Sequence, residues 1–428
     1  MLDIKLIRET PSLVKENLKK RNDPEKLKLL EELLKVDTEW RKMQTELNHL
    51  RQKRNQLSLE VAKLKKSGKT AKKQLTEAKK ADSLVEKSEK KLTELETKEK
   101  SLLMNIPNLL HESVPTGKDD SDNVEIRRWG SRPKFDFQPK DHLTILNELG
   151  LIDAERAAKA TGAGFFYLKN ELVLLDLALQ RYALDVLRKM GFTLIEPPFM
   201  VNKKSYDGMI ANPFDFREAS YKIDGEELFL VPTAEYPIGA MFTDEIFNEK
   251  DLPLKLCGIS PSFRREVGTH GKYQKGLYRM HQFNKVEQFI FCVPEQSWKL
   301  MEELQRNCEI LYQGLGLHFR VVVACSGDTS GKYEKTYDTE MWMADGKFRE
   351  VGSCSNATDY QARRLGIRFK EGEGKPVKGF VHTLNNTALA TSRTMIAIIE
   401  QFQQKDGSIV VPKVLRPYIF GIEKLEKK

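Results

Sequence analysis

The sequence predicts an α+β protein, in which an N-terminal antiparallel coiled-coil hairpin precedes a domain built on an antiparallel β-sheet flanked by helices. Two heptad stretches joined by a short glycine turn predict the hairpin. Strand-like segments that cluster among glycine-bearing loops, without regular βαβ spacing, predict the sheet. At 428 residues the chain exceeds what one hydrophobic core usually serves, so we expect two domains, at residues 1–111 and 112–428.

The hairpin follows from the spacing of apolar residues between Leu33 and Leu64, where nine of ten heptad seam positions are apolar. The two rows of this seam are Leu33, Trp40, Leu47, Arg54 and Val61, and Val36, Met43, Leu50, Leu57 and Leu64. Ser67-Gly68-Lys69 offers a turn, and a second heptad follows. Its seam positions are Ala78, Ala81, Val85, Ser88, Leu92, Leu95 and Leu102. The predicted arm covers about residues 27–102, with helices about 50 Å long at ~1.5 Å per residue, and ends at Pro107, which cannot continue a helix.

Positive charge is concentrated in this arm. Residues 41–80 contain 13 Lys or Arg and three Glu, a net charge of +10 in a chain that carries +9 in total, which leaves −1 for the rest. A near-neutral body with one basic projection suggests a partner with a phosphate backbone, because displaced counterions drive such binding. A solvated lysine-rich helix face or a structural dimerisation coiled coil remains an alternative on charge alone.

The cysteines and the apolar runs indicate the cellular environment. The five cysteines lie far apart and form no C-x-x-C pair, which favours buried free thiols over a zinc site. The N-terminus is broken by charged residues, and no apolar run approaches the roughly 18 residues of a membrane span. We therefore expect a soluble cytoplasmic protein.

The second domain alternates helix and strand signals after a predicted polar linker from about Ser113 to Pro139. The predicted helices are Leu172–Met190 and Gln296–Tyr312, and the predicted strands are Phe192–Ile195, Leu228–Val231, Lys285–Val293 and Phe319–Ala324.

One stretch of this domain carries charges that a plain core does not need. It begins with Phe263-Arg264-Arg265-Glu266, passes through a basic, glycine-containing loop from Val267 to Gly276, and continues from Leu277 to Glu287. This pattern predicts a hairpin whose two strands present arginines from one sheet face. Such arginines can bind phosphate oxygens in a bidentate way.

This stretch resembles motif 2 of the class II aminoacyl-tRNA synthetases, and residues 276–283 (GLYRMHQF) are similar to the seryl-tRNA synthetases in particular. The helix and strand ending at Pro198 resemble motif 1, a dimer-interface element, and residues 388–394 (ALATSRT) with the following apolar helix resemble motif 3. Residues 230–235 (LVPTAE) and 349–356 (REVGSCSN) also resemble signatures of the seryl enzymes. The resemblance implies an N-terminal tRNA-binding domain, a class II catalytic domain, and the formation of seryl-adenylate from ATP and L-serine before transfer to tRNA.

The resemblance also implies a role for each matching residue. Arg264 and Arg393 would be catalytic, and Glu350 and Ser353 would hold Mg²⁺. The ATP-binding residues would be Arg264, Arg265, Glu266, Arg279, Met280, Phe283, Glu350, Val351, Gly352, Ser353 and Arg393. The serine-binding residues would be Thr233, Ala234, Glu235, Arg264, Glu287 and Thr387, with Glu287 on the hydroxyl and Glu235 on the ammonium. Gly352 and Asn386-Thr387 stand where the family varies. For His270, in the motif 2 loop, contact with the tRNA end and no functional role are both possible.

The implied partners are tRNA(Ser), a tRNA for selenocysteine where one is present, and a second copy of the chain bound through the motif 1 region. The arm would hold the long variable arm of the tRNA, and no membrane is involved. The predicted tRNA-binding residues are Arg51, Lys53, Arg54, Lys63, Lys65, Lys66, Lys69, Lys72 and Lys73. Two alternatives are a non-catalytic RNA-binding paralogue and a structural coiled-coil protein.

Overall fold

The structure, a computed structural model, describes residues 1–211, 220–266 and 276–427. Contacts between residues divide the chain into two compact units. The smaller unit contains Leu2–Lys19 and Asp23–Pro107, and the larger contains Met1, Lys20–Asn22 and the chain from Asn108 onward. None of the described helices is both long enough and apolar enough to cross a membrane.

The N-terminal region forms four helices. They are α1 (Ile4–Glu9), α2 (Pro11–Lys20), α3 (Pro24–Lys66) and α4 (Lys72–Asn105). Asp23 caps α3 by accepting hydrogen bonds from two backbone N–H groups of its first turn, and Pro24 occupies the first helical position. Gly68 lies between α3 and α4 with a φ of +69°, a backbone conformation that glycine adopts without steric cost.

Helices α3 and α4 pack against each other along the predicted seam. Every predicted seam position is buried or half-buried, including Leu33 and Leu47 on α3 and Val85 and Leu95 on α4. An ion pair joins the helices near their middle, with 2.7 Å between Arg51 Nη2 and Glu89 Oε1. The predicted antiparallel hairpin is confirmed, and its helices of 43 and 34 residues are about 64 and 51 Å long at ~1.5 Å per residue.

The larger unit contains eight further helices in the described residues. They are α5 (His142–Glu148), α6 (Ala154–Thr161), α7 (Glu171–Lys189), α8 (Lys203–Met209), α9 (Glu235–Ala240), α10 (Ser297–Leu315), α11 (Tyr360–Leu365) and α12 (Thr391–Gln401). Short 3₁₀ turns lie at Asp120–Asp122, Glu249–Asp251, Gly276–Tyr278, Pro294–Gln296 and Lys413–Ile419.

The strands of the larger unit form one large sheet and several small ones. They are β1 (Val124–Trp129), β2 (Ile152–Asp153), β3 (Tyr167–Leu168), β4 (Thr193–Ile195), β5 (Met200–Asn202), β6 (Leu228–Leu230), β7 (Ile246–Asn248), β8 (Leu254–Phe263), β9 (Gln282–Cys292), β10 (Phe319–Val323), β11 (Lys335–Trp342), β12 (Phe348–Thr358), β13 (Arg368–Lys370), β14 (Val377–Phe380), β15 (His382–Ala390), β16 (Ile409–Val410) and β17 (Lys424–Leu425). The large sheet has the order β1-β10-β11-β12-β15-β9-β8-β4, and only β4, at one edge, runs parallel to its neighbour.

Helices α7, α10 and α12 cover one face of this sheet and form the main core with it. Side chains alternate along a strand, so Val286 and Leu384 point into this core. Residues of the opposite parity, such as Lys285 on β9 and Thr387 on β15, point to the other face and line a cleft. The pairing of β9 with β15 places these two rows side by side, with Glu287 opposite Thr387.

The structure corrects two predictions. The segment predicted as a linker contains β1, which pairs with β10 as an edge strand of the large sheet. Its sequence, VEIRRW, has little apolar alternation because its residues are mostly exposed or half-buried. The motif 2 arginines lie beyond the strands rather than on them, since β8 ends at Phe263 and β9 begins at Gln282.

The five cysteines are buried free thiols, as expected.

Candidate active site

A cleft of about 430 Å³ opens on the face of the large sheet that α7, α10 and α12 leave uncovered. Residues far apart in the sequence meet there because β8, β9, β12 and β15 are neighbours in the sheet. The predicted residues that line this cleft are Thr233, Glu235, Arg264, Glu266, Arg279, Phe283, Glu350, Val351, Gly352, Ser353, Thr387 and Arg393.

The centre of the cleft is an ion pair between Arg393 of α12 and Glu350 of β12. Arg393 Nη1 lies 3.2 Å from Glu350 Oε2 and donates a hydrogen bond of 3.0 Å to the Glu350 carbonyl oxygen. Ser353 Oγ donates to Glu350 Oε1 at 3.2 Å. Burial by itself would raise the pKa of Glu350, but the charges of Arg393 and Arg264 hold it below its ordinary value. Burial alone would likewise lower the pKa of Arg393, whereas Glu350 raises it above its ordinary value.

Arg264 brings a second half-buried positive charge to the same cleft. Its guanidinium lies 5.2 Å from the centre of the Phe283 ring, and its Nε donates to the Pro232 carbonyl at 3.4 Å. Burial, and next the charge of Arg393, lower the pKa of Arg264. Two guanidinium groups that share one cleft repel each other, so an anionic ligand with several oxygens would relieve this repulsion.

Glu266 and Arg279 form an ion pair at the outer end of the cleft. Glu266 has a φ of +49°, in the left-handed region that costs a residue with a side chain about 1 kcal/mol or more. The structure therefore holds the carboxylate in place at the expense of backbone strain, which is typical of functional sites.

Two buried carboxylates lie at the inner end of the cleft, each beside a lysine. Glu235 Oε1 accepts a hydrogen bond of 2.8 Å from Lys332 Nζ, and Glu287 forms an ion pair with Lys285. Thr387 Oγ1 lies 3.5 Å from Glu287 Oε2 and 3.4 Å from Lys285 Nζ. The charges of the two pairs cancel, so this end of the cleft suits a ligand that is itself a zwitterion.

Four predicted site residues do not line the cleft. Arg265 is exposed, and Met280 lines an adjoining pocket of about 340 Å³. Ala234 and Glu287 are fully buried in the wall of the cleft, where Glu287 lies behind Lys285 and Thr387. His270 lies outside the described residues.

Sequence reasoning missed twelve of the residues that line the cleft. Five of these are Lys285, Ser330, Lys332, Tyr333 and Asn385. The strand period could have identified Lys285 and Asn385, because each lies two residues before a predicted site residue on the same strand face. Lys332 and Tyr333 belong to the segment between β10 and β11, and their position in the sequence gives no such signal.

The donors near Arg393 fit a magnesium ion. Glu350 and Ser353 offer carboxylate and hydroxyl oxygens, the hard ligands that Mg²⁺ prefers. The described residues contain no cluster of three or more His, Cys, Asp or Glu that could enclose a metal.

Comparisons with known proteins identify the family. Residues 1–110 match the seryl-tRNA synthetase N-terminal domain, and residues 218–402 match the class II tRNA synthetase core domain for G, H, P, S and T. A serine–tRNA ligase of Methanocella arvoryzae is 50% identical over 426 residues, which cover 99% of this chain and 100% of that protein. The chain belongs to the seryl-tRNA synthetase family.

Solved structures support the same assignment. The structure of seryl-tRNA synthetase from Pyrococcus horikoshii complexed with ATP is 45% identical, has a TM-score of 0.96, and is matched over 100% of both chains. The cytoplasmic serine–tRNA ligase of Naegleria fowleri in complex with AMP is 32% identical with a TM-score of 0.89, over 100% of this chain and 99% of that one. The predicted α+β fold class and the predicted family are confirmed.

Proposed function

We propose that the cleft activates L-serine with ATP, forming seryl-adenylate and pyrophosphate, and then transfers the seryl group to the 3′ hydroxyl of the terminal adenosine of tRNA(Ser). The observation that carries this proposal is the meeting of Arg264, Arg393 and Glu350 in one cleft. The Pyrococcus relative was solved with ATP and the Naegleria relative with AMP, which supports a nucleotide ligand.

ATP would occupy the part of the cleft between Phe283 and Glu350. Phe283 would stack on the adenine, which displaces the Arg264 guanidinium from the ring and turns it toward the α-phosphate. Glu266 would accept a hydrogen bond from the adenine amino group, and Arg279, released from Glu266, would join Arg393 on the outer phosphates. Met280 and Arg265, outside the cleft, would support these residues rather than contact the phosphates.

Charge neutralisation and positioning would carry most of the catalysis. The serine carboxylate is ionised at neutral pH, so its attack on the α-phosphorus needs no general base. Arg264 would stabilise the negative charge that develops on the pentacoordinate α-phosphate. Arg393, held in place by Glu350, would stabilise pyrophosphate as it leaves.

A magnesium ion would be held by Glu350 and Ser353, with Val351 and Gly352 forming the strand backbone between them. When bound, the ion supplies positive charge to the phosphates. A Cβ at position 352 would lie 2.9 Å from the Cβ of Thr387 on the neighbouring strand, so a larger residue there would require Thr387 to shift.

Serine would bind at the inner end of the cleft. Glu235 would receive the ammonium group, and Thr387 would bind the hydroxyl, with Glu287 behind it in the wall of the cleft, 3.5 Å from Thr387 Oγ1. Alanine or glycine would leave these polar groups without a hydrogen-bond partner. This loss discriminates against them more strongly than the difference of about 1–3 kcal/mol in binding free energy that a single methylene group provides. Thr233 would orient Glu235, whose backbone N–H donates to the Thr233 hydroxyl at 3.1 Å.

The arm would hold tRNA by its phosphate backbone. Six lysines and no acidic residue lie between Lys63 and Lys73, and all six are exposed. Lys53 is also exposed, whereas Arg51 is paired with Glu89 and Arg54 is half-buried in the seam. The charge available to tRNA is therefore concentrated at the turn between α3 and α4.

A second copy of the chain would pack against the motif 1 region. Strand β4 lies at the edge of the large sheet, with no further described strand beside it. Leu194 on β4 and Leu177 on α7 are 40% and 55% exposed. An open edge with exposed leucines is a surface that a second copy could cover.

The test is ATP–pyrophosphate exchange measured with each amino acid in turn. We expect exchange with serine above all others, and a Glu350→Gln variant that lowers its kcat about 100-fold, because Arg393 loses its charged partner. Glu303→Gln is the matched control, since Glu303 forms an ion pair with Lys255 and does not line the cleft. A stronger signal with another amino acid, or equal loss in both variants, would contradict the proposal.

A further inference from the structure

The carboxylate of Glu235 is held by more donors than a simple binding residue needs. Its Oε1 atom accepts hydrogen bonds from Lys332 Nζ at 2.8 Å, Tyr333 Oη at 3.0 Å and Gln361 Nε2 at 2.9 Å. Glu235 is only 3% exposed, yet it lines the cleft. Its second oxygen, Oε2, accepts no side-chain hydrogen bond from the described residues.

We propose that Lys332, Tyr333 and Gln361 are positioning residues that saturate one oxygen of Glu235 and present the other to the α-ammonium group of serine. This inference rests on the proposed function and deepens it. A carboxylate with one free oxygen in a fixed direction recognises an ammonium group by geometry as well as by charge. None of the three residues needs to touch the substrate for this role.

The three donors are themselves held in place. The Lys332 ammonium lies over the rings of Tyr236 and Tyr333, 5.1 Å and 4.8 Å from their centres. The Gln361 amide is oriented by Thr383, whose Oγ1 donates to Gln361 Oε1 at 2.7 Å. The amide nitrogen of Gln361 must therefore face Glu235.

The backbone that carries Lys332 and Tyr333 is also fixed. Arg21 donates hydrogen bonds to the carbonyl oxygens of Thr329 at 2.8 Å and Tyr333 at 3.0 Å. Asn108 Nδ2 donates to the Lys332 carbonyl at 3.4 Å. The segment is clamped on both sides of Lys332, as expected of a residue with a positioning role.

Lys332 has an electrostatic role as well as a geometric one. Burial raises the pKa of Glu235, and the charge of Lys332, with the hydrogen bonds from Lys332 and Gln361, lowers it below its ordinary value. Glu235 therefore stays ionised inside the protein. Without Lys332, a proton would compete with the serine ammonium for the buried carboxylate.

The experiment compares two stable mimics of the reaction intermediate: the sulfamoyl analogue of seryl-adenylate and its counterpart that lacks the α-amino group. Both carry the adenosine part, so both should bind to the unmodified chain in a calorimeter. We expect Lys332→Met to weaken the amino-bearing analogue about 100-fold and to leave the other within about twofold. Tyr333→Phe, which removes only a hydroxyl, should weaken the amino-bearing analogue about tenfold.

Lys335→Met serves as the matched control. Lys335 lies three residues further along, over the ring of Tyr337, and does not line the cleft. We expect this variant to bind both analogues as the unmodified chain does. The inference is overturned if Lys332→Met weakens both analogues equally, or neither. If the unmodified chain does not bind the seryl analogue at all, the proposed function itself fails.

Discussion

Single residues of the cleft illustrate how burial and charge are balanced in this protein. Arg264, Arg393 and Glu350 are close enough for their charges to shift one another's pKa. Burial opposes the shift for Glu350 and Arg393, and it acts in the same direction as the charge of Arg393 for Arg264. Removing one member would leave a half-buried charge without its partner, which costs more than replacing both members by apolar residues. The convergence of these three residues is therefore itself an argument for a charged ligand.

Glu334 provides a pH-dependent prediction at the same scale. Burial raises the pKa of its carboxyl from an ordinary value of 4.5 to about 7. The folded state binds more protons than the unfolded state between these values, so the free energy of unfolding falls as pH rises from about 4.5 to 7. We expect Glu334→Gln to stabilise the chain by about 3 kcal/mol at pH ~8 and to change little at pH ~4, since each unit of pKa shift corresponds to about 1.4 kcal/mol.

Thermal or denaturant unfolding of the two chains across this pH range measures the difference. Glu112→Gln is the control. Glu112 is exposed, and it follows His111, whose backbone N–H donates a hydrogen bond to the Glu334 carbonyl oxygen. A Glu334→Gln variant with the same stability difference at both pH values would show that the residue does not titrate in this range.

The helical hairpin gives the clearest prediction at the scale of an element. We expect replacement of its six tip lysines by glutamine to lower tRNA charging and to leave serine-dependent exchange unchanged. The six residues are Lys63, Lys65, Lys66, Lys69, Lys72 and Lys73. The reason is that lysines bound to phosphates release counterions from the tRNA. The slope of log affinity against log salt concentration should therefore also become shallower, by about 0.7–0.9 for each phosphate that is no longer neutralised.

Charging at several salt concentrations, with exchange measured in parallel, tests this prediction. A variant with Lys87, Lys90 and Lys91 replaced is the control, since these exposed lysines lie on α4 away from the turn. Equal losses in charging and exchange would mean that the substitutions disturb the catalytic unit rather than tRNA binding.

Elements were predictable from the sequence where their signal is local. The heptad between Leu33 and Leu64 repeats within one helix, and it identified the seam without any long-range information. Strand β1 was missed because an edge strand with few buried side chains carries little alternation. The family motifs supplied Arg264, Glu350 and Arg393, which periodicity alone would not distinguish from surface residues.

The remaining parts of the site depend on contacts between distant segments. Lys332 and Gln361 reach Glu235 across 97 and 126 residues, and neither belongs to a repeating pattern. Glu235 is on α9, Gln361 on α11 and Lys332 between β10 and β11, and these segments meet only after the larger unit has folded. A sequence pattern can name a carboxylate as a candidate, but it does not show which donors will surround it.

For the whole molecule, charge is distributed unevenly between the arm and the rest of the chain. Residues 41–80 carry +10, although the total is only +9. The positive charge is thus concentrated in one segment of the helical hairpin, while the rest of the chain carries −1. Long-range attraction of a polyanion would bring tRNA to the arm first, and a low net charge elsewhere would not oppose the packing of two bodies.

Association of two copies is the prediction that concerns the molecule as a whole. We expect a double variant, Leu177→Glu with Leu194→Glu, to convert a dimer into a monomer of 49.3 kDa, because charges would be buried in an apolar contact. Light scattering after size-exclusion chromatography measures the mass. Val377→Glu is the control, since Val377 on β14 is 42% exposed but lies on a different sheet. A double variant that keeps the mass of the unmodified chain would place the interface elsewhere.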